Sequence, residues 1–214
     1  MTDTPYFVIT IASCDADYRQ TALGHMPGLA QDLMDQAGAL VVRYGVVATG
    51  DNVGALALFQ AYEHLDGFEK ALDVYAGSAA YAEVISSGKV QVVLRNIMKT
   101  HPVPFDQNRE VTSKYAVLTR ASSADPMINE MSQLASVFAD NGALTLRYGT
   151  LITGSNAGNR LVGATYPSME AIEKTYDALA ADSHYQSVLS NASINMRHSQ
   201  AHKQKNHHHT ADNI

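Results

Sequence analysis

The chain has 214 residues, 46% of them apolar and 17% charged, with a formal net charge of −6 at pH 7. These are ordinary globular values, and the length admits one large domain or two small ones. The negative balance argues against a nucleic-acid binder and against an anionic membrane surface as partner, and a lone cysteine, Cys14, excludes an intrachain disulfide framework. No apolar run approaches the ~20 residues of a bilayer span. Met1–Pro5 lacks the charged start and apolar stretch of a signal peptide, so a soluble cytoplasmic protein is expected.

In chain order, Tyr6–Ala12 reads as a strand and Pro27–Ala37 as a helix with Leu29, Leu33 and Ala37 on one side. Ala39–Thr49 and Ala55–Tyr62 read as paired strands. Leu65–Ala76 reads as a helix with Phe68, Leu72 and Tyr75 inward, and Lys89–Met98 as a closing strand. His101–Arg109 carries two prolines among polar neighbours, which suits a boundary. The order then recurs. Lys114–Arg120 is a strand; Asp125-Pro126 is a helix start, followed by Met127, Met131, Leu134 and Phe138 on one face. Ala143–Thr153 and Arg160–Tyr166 are strands joined by the turn residues 154–158. Ser168 caps a helix with Ile172, Tyr176 and Leu179 on its face, a short helical turn lies near His184–Leu189, and Ala192–His198 is the last strand.

The recurrence is also one of residues. Gly38-Ala39-Leu40, Arg43-Tyr44-Gly45 and Thr49-Gly50 reappear 104 residues later as Gly142-Ala143-Leu144, Arg147-Tyr148-Gly149 and Thr153-Gly154. The offset holds without a gap from Gly38/Gly142 to Leu94/His198, with 18 identities in 57 positions, where chance gives only a handful. Tyr6 matches Tyr115 at an offset of 109, so the first copy carries about five extra residues near Gly24–Gly28, a segment suited to a lid that contains His25. The expected organisation is a first repeat over 1–100, a linker over 101–112, a second repeat over 113–200 and a disordered, His-rich tail over 201–214. Each repeat is an α+β unit of β-α-β-β-α-β order, ferredoxin-like, with both helices on one face of an antiparallel sheet. The strand Leu40–Val47 does not alternate apolar with polar residues, so both its faces should be covered. Helices cover one face. The other copy's sheet is the natural cover for the second, giving a closed, barrel-like core.

The Gly-Ala-Leu…Arg-Tyr-Gly pattern, with Ser168…Glu170 and Ser183-His184-Tyr185-Gln186, resembles the dimeric α+β barrel superfamily, closest to its small members of unknown function. The resemblance spans both halves to about Gln200. It implies two facing ferredoxin-like sheets, supplied here by one chain. It also implies a range of activities: cofactor-free monooxygenases, lactone isomerases, polyketide cyclases, haem binders and proteins with no known activity. The absence of tryptophan departs from haem-degrading members that use an Asn-Trp-His set.

Arg43 and Arg147 occupy matching positions on the second strand of each copy, on the more polar parity. Facing one cavity, they would bind an anion through planar guanidinium forks; the alternative is a structural pairing of each with a carboxylate. Tyr166 and Tyr185 recur as Tyr62 and Tyr81 and could orient a ligand, or simply pack a core. His184 and His198 are candidate general bases because their pKa lies near operating pH, against the plainer reading of surface or core histidines. Neither recurs in the first copy, where Ala80 and Leu94 stand. No phosphate-binding glycine loop, Cys-x-x-Cys pair or nucleophile elbow is present. The expected function is binding, and conversion without a cofactor, of a small anionic or aromatic molecule. The other readings are a haem protein and a non-catalytic stress or interaction module. No metal, nucleic acid or membrane is expected as partner, and sheet edges left on each copy would let chains associate.

Overall fold

A computed structural model describes residues 5–191 and 200–207. The first half comprises β1 (Tyr6–Cys14), α1 (Arg19–Ala37), β2 (Val41–Val47), β3 (Leu56–Tyr62), α2 (Leu65–Gly77), α3 (Ala79–Ser86) and β4 (Val90–His101). The second comprises β5 (Tyr115–Ala121), α4 (Ile128–Asp140), β6 (Thr145–Leu151), β7 (Arg160–Tyr166), α5 (Met169–Ala181), α6 (Ser183–Asn191) and β8 (Gln200–His207). The eight strands form one closed barrel in the order β1-β3-β2-β8-β5-β7-β6-β4. Closure removes both sheet edges, so the free edges expected from the sequence are absent among the described strands.

Two seams join the halves, and they match in register. At one, β4 pairs with β6 so that His101 faces Tyr148. At the other, β8 pairs with β2 so that Lys205 faces Tyr44; both residues lie 104 positions from their counterparts. Likewise Tyr6 faces Lys99 across β1–β4, and Tyr115 faces Lys203 across β5–β8. The expected last strand, 192–198, lies outside the described residues. The segment from Gln200, expected to be a disordered tail, forms β8 as far as His207. Local composition misleads there because the stabilising partners are backbone groups of β2 and β5, and a strand needs no apolar side chains to satisfy them.

The strands are covered on both faces, which explains their unbroken apolar runs. Val8, Val42, Tyr44 and Leu58 pack under α1 and α2. Leu146, Tyr148, Ala164 and Tyr166 pack under α4 and α5. On the opposite faces of the strands, Ile9, Phe59, Met98, Leu151 and Leu161 meet inside the barrel in a third core. Each such buried side chain stabilises by about 1.5–3 kcal/mol.

Some local expectations shift. α1 begins at Arg19 and includes Gly24, His25 and Pro27, so the extra segment is helical instead of a lid. One missing N–H at Pro27 is outweighed by the buried strip Ala22, Met26, Leu29, Ala30 and Leu33. Gly38 ends α1 with φ 68° and its N–H on the Leu33 carbonyl, the left-handed cap that glycine accepts most easily. In α2 the buried residues are Ala71, Val74 and Tyr75, whereas Leu72 is exposed. Ser168 caps α5 by accepting from the Ala171 N–H. Asp125 accepts from the Met127 N–H, and α4 starts one residue later.

Candidate functional site

Strand parity delivers Arg43 on β2 and Arg147 on β6 to the barrel interior, where both line one cavity of about 80 Å³. Phe7, Ile9, Phe59, Met98 and Leu161 supply its apolar walls. A polar step is set into them by Thr145 and Thr165, whose hydroxyl oxygens are 2.8 Å apart across β6–β7. Arg147 stacks toward the Phe7 ring, with its guanidinium carbon 5.8 Å from the ring centre, and donates to the Leu146 carbonyl at 3.3 Å.

A third cation, Arg109, reaches the same cavity from the segment between the halves. That segment is docked. Gln107 donates to the Leu146 carbonyl and accepts from the Leu146 N–H, Asn108 donates to the Leu144 carbonyl, and Phe105 is buried in the core of the second half. Nothing in the sequence around Arg109 marks it as a site residue; its role depends on where Gln107 pins the chain.

The electrostatics are one-sided. No carboxylate, histidine or cysteine is among the described residues lining the cavity. Burial, reinforced by Arg147 and then Arg109, pulls the Arg43 pKa down to about 10. Arg43 Nε is buried without a hydrogen-bond partner. A guanidinium with a buried, unbonded Nε beside two other cations is costly in an empty site and attractive to an anion.

The remaining sequence candidates lie elsewhere. Tyr166 is fully buried on the helix-facing side of β7, and burial pushes its phenol well above the usual range. Tyr185, on α6, lines a second cavity of about 80 Å³ between α4, α5, α6 and the sheet, together with Tyr148, Tyr176 and Arg160. Arg160 is fully engaged there, donating to the Asp125 and Ala124 carbonyls and to Thr150 Oγ1. His184 is the second residue of α6, where its Nε2 is buried without a hydrogen-bond partner, and it is not among the residues lining either cavity. His198 lies outside the described residues. The sheet therefore separates the two arginines from both tyrosines. In the first half, Tyr62 is tied into a buried network: its hydroxyl donates to Gln60 Oε1 at 2.6 Å while Gln60 Nε2 donates to the Tyr75 hydroxyl. Ala164 replaces Gln60 at the matching position of the second half.

Fold and cavity together define an α+β barrel of two ferredoxin-like halves with a cationic, apolar-walled interior. The chain belongs to the family described as Domain of unknown function (DUF6854), whose model matches residues 4–100 and again 113–201. No curated protein matches it in sequence. Solved structures share the fold at low identity. A candidate monooxygenase from Lactobacillus acidophilus NCFM is 14% identical with a TM-score of 0.64, covering 94% of each chain. Chlorite dismutase from Candidatus Nitrospira defluvii is 10% identical at 0.63, covering 96% of this chain and 92% of its own. An anthrone oxidase-like protein is 13% identical at 0.63, covering 95% and 94%. No helix among the described residues is long and apolar enough to cross a membrane.

Proposed function

We propose that the barrel interior binds a small anion with an apolar body, such as an aryl carboxylate, and that Arg43, Arg147 and Arg109 hold its charge. The observation that carries this reading is the set of three guanidinium groups around an apolar cavity whose described lining contains no carboxylate. Guanidinium is the group best suited to carboxylate, and a low-dielectric wall strengthens the attraction. Phe7 and Phe59 give an aromatic ring apolar faces to lie against. The buried Thr145 and Thr165 hydroxyls add donors and acceptors in the wall.

The same cations would stabilise an enolate or phenolate, the charge type that cofactor-free oxygenation, isomerisation and cyclisation all develop. The fold shared with a candidate monooxygenase and an anthrone oxidase-like protein is compatible with such chemistry. No acid–base side chain among the described residues lines the cavity, so the reading rests on binding and charge stabilisation. Haem finds less support: no histidine lines either cavity among the described residues.

Isothermal titration with 3-phenylpropionate at low ionic strength tests the proposal. Binding should weaken at least tenfold in Arg147→Ala, and with added salt as screening grows. An affinity unchanged by Arg147→Ala would exclude this cavity as the site.

A further inference from the structure

The barrel interior has a second end. Alternate residues of each strand stack along it: Phe7, Ile9 and Ile11 on β1, and Ala116, Leu118 and Arg120 on β5. The first of each trio lines the arginine cavity. The last lines another cavity, of about 150 Å³, at the opposite end. Ile9, Leu118 and Leu161 border both, so these packed apolar side chains stand between the two spaces.

The far cavity differs in chemistry. The turn after β2 and the turn after β6 bring Asn52 and Asn156, 104 residues apart, to its wall, beside the buried Asn96. The turns themselves are closed by main-chain groups, the Asn52 carbonyl accepting from Ala55 N–H and the Asn156 carbonyl from Asn159 N–H. Neither closure uses the side-chain amide. Asp51 and Arg120 also border this end, one of each charge, so it has no bias toward an anion.

We infer that the barrel is a two-ended site for a molecule with a carboxylate at one end, an apolar middle and a hydroxyl at the other. This rests on the anion-binding reading above and adds the class of ligand. An amide both donates and accepts, which matches a hydroxyl and not a second carboxylate. From the first to the last residue of each trio is four residues, or about 13 Å of strand. With strands tilted by about 35–45° in a barrel, the ends lie roughly 10 Å apart along its axis. A phenol para to a short carboxylate chain spans such a distance.

Titration of the full-length protein with 3-phenylpropionate, 3-(4-hydroxyphenyl)propionate and 2-(4-hydroxyphenyl)ethanol separates the two ends. The hydroxy acid should bind about 3- to 10-fold tighter than the plain acid, the gain of one hydrogen bond, and the alcohol should bind weakest. In Asn52→Ala/Asn156→Ala the hydroxyl gain should vanish while the plain acid keeps its affinity. Equal affinities of the two acids, or a gain that survives the double substitution, overturn the two-ended site and leave the anion reading standing. No binding of either acid removes both. Should the double variant fail to fold by circular dichroism, the comparison of the two acids on the unaltered chain still decides.

Discussion

Replacing Arg43 with methionine should strengthen the fold and abolish anion binding. The lowering of the Arg43 pKa from 12.5 to about 10 measures how much the fold disfavours the charged form. At about 1.4 kcal/mol per tenfold change in proton affinity, that is about 3 kcal/mol. A base with a depressed folded pKa makes the fold more stable as pH rises through the folded value. At pH 7 both folded and unfolded chains are protonated, so the whole penalty is carried. Methionine keeps a long apolar stem beside Phe59, the cross-strand partner of position 43, and removes the charge. Lost stem contacts and solvent relaxation offset part of the gain, leaving an expected stabilisation of about 1–3 kcal/mol. Urea unfolding midpoints at pH 7 measure it, and added 3-phenylpropionate should raise the midpoint of the parent only. A variant destabilised by more than about 1 kcal/mol would show that the guanidinium is structurally paired, and the reasoning would fail.

Gln60→Leu strands the Tyr62 and Tyr75 hydroxyls in the first core; the expected loss is about 2–4 kcal/mol by chemical denaturation. A Cβ at Gly149 would run into the Lys99 carbonyl and the Met98 side chain across the β4–β6 seam. Because the carbonyl belongs to a paired strand, Gly149→Ala should cost about 3 kcal/mol, read as a lower melting temperature. At the same seam, Thr150 Oγ1 accepts from Arg160 and lies 2.8 Å from His101 Nε2. A neutral imidazole can accept the hydroxyl proton and an imidazolium cannot. Burial, then Arg160 and Lys99, depress the His101 pKa. That stability is present above about 6.5 and is lost as pH falls through the folded value. The parent should therefore lose more stability between pH 7 and 5 than His101→Gln, and parallel losses would discount the contact.

Much of the barrel was legible because a 104-residue offset is a direct signal and unbroken apolar strands require two covered faces. The same offset reached further than composition suggested. β4 runs to His101, so its counterpart should run to Lys205, yet Lys203-Gln204-Lys205-Asn206 reads locally as a solvated tail. Barrel closure, a long-range backbone effect, overrides that local preference. Pro27 similarly suggested a helix start, where burial of Ala22 and Met26 carries α1 back to Arg19. Parity was enough to place Arg43 and Arg147 on one face. It also sets Tyr166 on the other, but repetition of tyrosines in both halves carries no information about which face is the site. Arg109 was illegible, since a side-chain grip by Gln107 on Leu146 is a tertiary event.

An anion seated between Arg43 and Arg147 is directly visible to diffraction. Crystals soaked with 3-(4-bromophenyl)propionate should show an anomalous bromine peak inside the barrel, on the Asn52 and Asn156 side of Ile9, Leu118 and Leu161, with carboxylate density against Arg43 and Arg147. Bromine found instead beside Tyr185 under α6, with the barrel interior empty, would contradict that placement.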